Sequence, residues 1–284
     1  MLWGTTFPAA KLALAELDPL ALMAWTRVLG VATLILALPW MARRGTAAST
    51  DLKRLVWPGV LLGALLFVGY SLQTIGLDST TATNAGFITG LYVVFTPLLG
   101  LALFGIPVRR AVWVAVLISF GGLALLSTAT LQDFRPRSGD LLVLGSALAW
   151  SGHVTALGRF APRYPAASLS VVQLAAASLF HIVAAAPGGL QAGAAWSVVP
   201  LLFITGVLGT GVAYTLQVVA QAEISAARAA VILSGESLVS ALLSVVWIGE
   251  RLASHQWLGA LLIIAAMVLS ETKARRETRA PPLP

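Results

Sequence analysis

Cysteine is absent from this chain. Disulfides and thiolate metal sites are therefore excluded, while the redox compartment is left open. Charge is nearly as scarce: Asp, Glu, Lys and Arg make up 10% of the residues, against about 25% in soluble domains. With 58% of 284 residues hydrophobic, too little polar surface remains to wrap a core in water. The bilayer is the solvent this composition fits. Lys and Arg exceed Asp and Glu by 18 to 11, but the basic residues fall in short clusters between apolar runs, so the excess does not mark nucleic-acid binding. The start, MLWGTTFPAAK, has no basic stretch before its first apolar run, and no cleavable signal peptide is expected. Three scattered histidines without carboxylate spacing give no metal site. The Gly-rich TGVLGTG at 205–211 lies inside an apolar run and lacks the lysine of a phosphate loop. No cofactor is expected.

What is present is a series of long apolar runs. Crossing a hydrocarbon core of about 30 Å takes about 20 helical residues. Ten candidates are read at 2–15, 20–40, 55–76, 84–106, 111–128, 141–160, 166–186, 197–221, 229–248 and 256–271. Their continuous apolarity favours helices over barrel strands, which would alternate in polarity. The first run is short for a span, so a further turn or two upstream, or a helix starting within the membrane, is expected. With the N-terminus placed inside, the inner segments carry thirteen Lys and Arg and the outer loops three: Arg135, Arg137 and Arg251. That asymmetry places both termini in the cytoplasm. Pro97 is expected to kink the fourth run.

The runs contain an echo. GYSLQTIGLD at 69–78 returns as AYTLQVVAQA at 213–222, so Tyr70 and Gln73 meet Tyr214 and Gln217 at an offset of 144. Gly105 and Trp113 meet Gly249 and Trp257 at the same offset. Less regularly, Trp3 corresponds to Trp150. Five spans per copy force the second copy into the membrane upside down. Inverted repeats are a signature of alternating-access carriers, with the site near the midplane between the halves. The fold class is thus all-α integral membrane, with ten transmembrane helices as two inverted five-helix repeats at 1–128 and 140–271, then a cytoplasmic basic tail at 272–284.

Several stretches carry a resemblance across the whole chain: WGTTFPAAK, DPLALMAWTR, TTATNAGFITGLYVVFTPLLG at 80–100, and GESLVSALLSVVWIGERLASHQWLGALLIIAAMVLSE at 235–271. The sequence resembles the EamA family of the drug/metabolite transporter superfamily. The last stretch fits that family's pattern at Glu236, Ser237, Gly249, Glu250 and Gly259. The first half departs from it, with GIPVRR at 105–110 where a second Gly-Glu often stands. The resemblance implies ten helices and export of amino acids, metabolites or drugs from a bacterial cytoplasm across the inner membrane.

A polar group facing lipid lacks partners. Trp3, Tyr70, Gln73, Tyr92, Trp150, His153, Tyr214 and Gln217 are therefore read as a substrate cavity, with helix–helix hydrogen bonding as the plainer alternative for the Tyr and Gln pairs. Glu236, well inside the ninth run, is read either as a proton or substrate-cation site or as a carboxyl bonded to backbone, Ser234 or Ser240. Arg27 is expected to snorkel outward or pair with Glu16 or Asp18, with anion recognition as the sharper alternative. Lys11 is expected to snorkel, Glu250 and Arg251 to cap a boundary, and His181 to pack or sit at the interface. Trp57, Trp113, Trp196 and Trp257 suit an aromatic belt.

The leading function is a secondary transporter for a small-molecule substrate in the lipid bilayer, as monomer or homodimer. An intramembrane enzyme is the alternative of another class, but no catalytic constellation stands out in the sequence. A passive channel or sensor is the third, and a channel would show rings of repeated polar residues.

Overall fold

The computed structural model describes residues 2–43, 52–80, 82–127, 138–243, 245–246 and 252–277. Those residues form helices and connecting turns, with no strand among them. Arg44, Arg135, Arg137, Gly249, Glu250, Arg251 and Arg279 lie outside them.

In chain order the helices are α1 (Trp3–Ala13), α2 (Pro19–Arg43), α3 (Leu52–Ser79), α4 (Ala82–Gly90), α5 (Tyr92–Phe104), α6 (Arg110–Ser127), α7 (Ser138–Phe160) and α8 (Ala166–Ala185). They continue with α9 (Ala192–Ser197), α10 (Val199–Leu202), a π-helical segment (Phe203–Val212), α11 (Ala213–Gln221), α12 (Ala226–Leu233), α13 (Gly235–Leu243) and α14 (Ser254–Glu277). Among the described residues seven helical stretches are long and apolar enough to cross a membrane: Pro19–Pro39, Lys53–Ser79, Ala85–Phe104, Ser138–Arg163, Ala166–Gly188, Val199–Gln221 and Ala226–Leu243. Arg110–Leu126 and Ser254–Ser270 are shorter apolar helices.

Lipid tails are as apolar as leucine, so close packing rather than water exclusion draws such helices together, and small residues permit it. α6 lies on α14 through Gly122 and Gly259. A Cβ added to Gly122 would come within 2.8 Å of the Gly259 carbonyl, and one on Gly259 within 2.6 Å of the Gly122 carbonyl. Gly63 of α3 is similarly pressed against α8, where an added Cβ would meet Ala176 at 2.6 Å. The central contacts are reciprocal: α3 packs on α8, the π segment packs on α2, and α2 and α8 pack on each other. α5 lies against α7, and α1 lies against α13 and the π segment.

The fourth and ninth runs are each interrupted. The breaks fall at Leu91, between α4 and α5, and at Ser234, between α12 and α13. Pro97 lies inside α5, which continues through it. The ninth run breaks at nearly the equivalent place without a proline, so Pro97 is not needed for the interruption. A glycine borders both breaks, Gly90 and Gly235, and glycine is a poor helix former. In the eighth run the Gly-rich stretch widens into a π helix, and Thr210 Oγ1 donates to the Thr205 carbonyl five residues back at 2.9 Å.

Candidate functional site

The reciprocal packing leaves a cavity between the first and second halves of the chain, with about 830 Å³ of free space including its mouth. All eight residues read from the sequence as cavity-lining stand around it, and so does Glu236.

The two echoed tyrosines meet directly: the Tyr214 hydroxyl donates to that of Tyr70 at 2.9 Å. Tyr70 stands edge-on to Trp150 at 4.5 Å between centroids, and Trp3 lies 4.8 Å from Tyr214. Trp3 Nε1 donates to the Gly209 carbonyl at 2.7 Å, which fixes α1 to the π segment. An added Cβ on Gly209 would strike Thr6 at 2.4 Å. Only glycine lets that strand of backbone offer its carbonyl so near α1. π-helical turns recur at functional sites because they redirect backbone groups in this way.

The glutamines hold different partners. Gln73 Nε2 donates to Thr89 Oγ1 at 3.1 Å, whereas Gln217 Nε2 donates to Gln221 Oε1 at 2.9 Å. Gln221 in turn donates to the Val154 carbonyl at 2.9 Å. Buried His153 has Nε2 3.0 Å from Gln173 Oε1, and its ring lies 5.8 Å from that of Tyr214. Gln217 Oε1 and His153 Nδ1 have no hydrogen-bond partner among the described residues, while the Tyr92 hydroxyl and the Glu236 carboxyl face each other. Tyr92, Gln217 and His153 all line the cavity.

Glu236 opens the first turn of α13 and is half-buried. Ser234 is committed elsewhere, to Ser119 at 2.7 Å and to the Val231 carbonyl at 2.6 Å. Arg27 departs from the sequence expectation. It is 2% exposed and turned inward, with its guanidinium carbon 3.7 Å above the Tyr70 ring. Asp18 is bonded to Gln191 instead. The aromatic face of Tyr70 draws the cation inward, and the cavity gives it room. Lys11 is exposed and donates to the Leu77 carbonyl at 3.2 Å. His181 is fully buried, 4.8 Å from the Phe67 ring and bonded to the Ala177 carbonyl at 2.8 Å, so of its two expected roles it packs. Trp57, Trp196 and Trp257 are exposed, while Trp113 packs on the core.

Sequence reasoning did not select Thr6, Met23, Thr74, Thr89, Thr205 or Leu233, which also line the cavity. The offset of 144 held a usable signal, because it also pairs Thr89 with Leu233 and Tyr92 with Glu236.

One end of the cavity is blocked. α12 packs against α5, α6 and α7, and a Cβ on Gly158 would lie 3.0 Å from that of Ala226. Beyond this contact lies a second, wider hollow bordered by Thr96, Thr155, Gly158 and Ala226, with Arg109, Arg110 and Arg228 also in its lining. At the equivalent place in the first half, α4 packs on α3, α6 and α7 and makes no comparable contact with α13 among the described residues. No three potential metal-ligating His, Cys, Asp or Glu side chains converge among the described residues.

A bundle of apolar helices around a cavity lined by aromatic and polar side chains has the build of a membrane carrier of small solutes. The family model for EamA-like transporters matches residues 1–128 and 137–272, and the chain belongs to that family. It is 31% identical over 269 residues to an uncharacterized transporter of Archaeoglobus fulgidus, covering 95% of this chain and 82% of the relative. It is 30% identical over 261 residues to the threonine/homoserine exporter RhtA of Escherichia coli K12, covering 88% and 82%. A solved crystal structure, 21% identical, superimposes with a TM-score of 0.71 over 97% of this chain and 96% of its own, which shows the fold. The protein is a small-solute transporter of a membrane.

Proposed function

We propose that this transporter exports small organic solutes, among them amino acids, metabolites or drugs, by alternating access across a bacterial inner membrane, with both termini in the cytoplasm. In this reading ten spans form two five-helix repeats of opposite orientation, 1–128 and 140–271, followed by a cytoplasmic tail at 272–284. The seven long apolar stretches, the two shorter ones and α1 together account for ten. At 1.5 Å per residue, the 11 residues of α1 reach about 16 Å, making it the shortest of the ten. The same family model matching once on each half supports the repeat. One chain carries both halves, so a monomer is sufficient and a homodimer is compatible.

The observation that carries the proposal is the conjunction of matched lining with unmatched closure. Tyr70, Gln73, Tyr214 and Gln217 approach one cavity from both halves, while α12 packs on α5 and, among the described residues, α4 has no comparable contact with α13. Two equivalent halves sealing at opposite ends in turn would produce alternating access. Trp3, Tyr92, Trp150 and His153 complete the substrate lining in this reading, and Glu236 couples transport to protons. The function as a carrier requires no catalytic group. Because the Escherichia coli relative is named for threonine and homoserine, these are the first solutes to try. Proteoliposomes loaded with each solute should show efflux that a pH gradient accelerates, and Glu236→Gln should remove the acceleration. Equal rates with and without the gradient, in both proteins, would overturn the role of Glu236 in proton coupling.

A further inference from the structure

Among the described residues the cavity lining holds one residue of each charge, and they come from different halves. Arg27 stands on α2 and Glu236 on α13. Arg27 is the more informative. Its Nε and Nη1 are buried with no hydrogen-bond partner among the described residues, and Nη2 has only the Met23 sulfur at 3.8 Å. A guanidinium carries a fixed charge and five N–H donors in a planar fork. Stacking on Tyr70 satisfies its face and leaves the edge free. Burying such a group unpaired is costly, so the partner it lacks in the protein is the partner its ligand supplies. A carboxylate fits that fork in bidentate fashion.

Glu236 presents the opposite demand. It is half-buried at the cavity wall. Arg27 stacks on Tyr70, Tyr70 is bonded to Tyr214, and both tyrosines line the same cavity as Glu236. A solute with only a carboxylate would answer Arg27 and leave the charge of Glu236 without a counter-charge from the solute. A simple amine would do the reverse. We infer that the cavity recognises an amino-acid zwitterion, with the solute carboxylate on Arg27 and its ammonium on Glu236. The aromatic walls, Trp3, Tyr92 and Trp150, then receive the side chain. A solute held this way ties α2 of one half to α13 of the other, so binding favours the state in which the halves close around it.

This inference rests on the transporter reading, and its test separates the two. Counterflow is measured in proteoliposomes with a panel: the proteinogenic amino acids, and for L-leucine and L-phenylalanine the amine and the carboxylic acid that retain the same side chain. Neutral alcohols and monosaccharides complete it. The expected result is that amino acids are carried and that the matched amine and acid compete at least tenfold more weakly. Arg27→Gln should raise the KM for amino acids at least tenfold and shift preference toward the amine. Glu236→Gln should shift it toward the acid. Carriage of amines, acids or neutral solutes as well as or better than amino acids would overturn the zwitterion assignment and leave the transporter reading standing. So would an unchanged KM and preference in both variants. No carriage of any panel member would overturn both. The wild-type comparison needs no variant, so a misfolded substitution does not blunt the test.

Discussion

The two halves of the chain agree where the cavity needs a frame and differ where it needs a direction. Tyr70 and Tyr214 are equivalent by sequence and join hydroxyl to hydroxyl. Gln73 and Gln217 are equivalent and both line the space. The charged groups have no such twins. Tyr92 stands where the second half has Glu236, and α8, which answers to α2, contains no lysine or arginine to answer Arg27. Closure differs as well: α12 seals on α5, while α4 makes no comparable contact with α13 among the described residues. Matched residues from the two halves frame the cavity, and unmatched Arg27 and Glu236 charge it. The unmatched closure is of another kind: under the proposed alternating access it distinguishes two states of one enclosure rather than two chemistries.

The comparison can be broken most severely at the sealed end. The wild-type chain has no cysteine, so Gly158→Cys with Ala226→Cys introduces a single possible cross-link across the contact. Oxidation should reduce transport to background and a reductant should restore it, read as counterflow in proteoliposomes. Next is exchange of the unlike pair. Tyr92→Glu combined with Glu236→Tyr keeps the net charge but moves the carboxylate to the half that already holds Arg27. Initial rates should fall at least tenfold, equivalent to ~1.4 kcal/mol. A smaller effect tests the packing beneath the comparison. Gly259→Val pushes a side chain onto the Gly122 backbone and should destabilise the protein by about 1–3 kcal/mol, measured as thermal unfolding in detergent. Smallest are the like pair. Tyr70→Phe and Tyr214→Phe should each cost about 0.6 kcal/mol, the average for hydrogen bonds between membrane helices. The two should be alike, and the double variant little worse than either, because they share one bond. A large difference between them would show that the tyrosines serve different ends.

Much of this was legible in the sequence. Helical class follows from apolar run length, and the repeated Tyr-x-Leu-Gln marks the cavity, because a polar side chain repeated at membrane depth must face something other than lipid. The orientation of Arg27 was not legible. Its distance from the chain's bend suits snorkelling, and only the tertiary placement of Tyr70 beneath its guanidinium turns it inward. The breaks at Leu91 and Ser234 were missed for a related reason. Pro97 is the louder local signal, whereas Gly90 and Gly235, which border the breaks, are weaker helix breakers. The π segment was visible as a glycine cluster, but its widened turn depends on the contact with Thr6 and Trp3 from a distant helix.

The central claim is that one cavity between the two halves opens to either side in turn. A single Gln73→Cys in the otherwise cysteine-free chain reports on it directly, with a membrane-impermeant thiol reagent applied to one face or the other of uniformly oriented vesicles. Labelling from both faces, each suppressed by saturating transported solute, is the expected result. Labelling confined to one face under all conditions, or absent from both, would contradict the account.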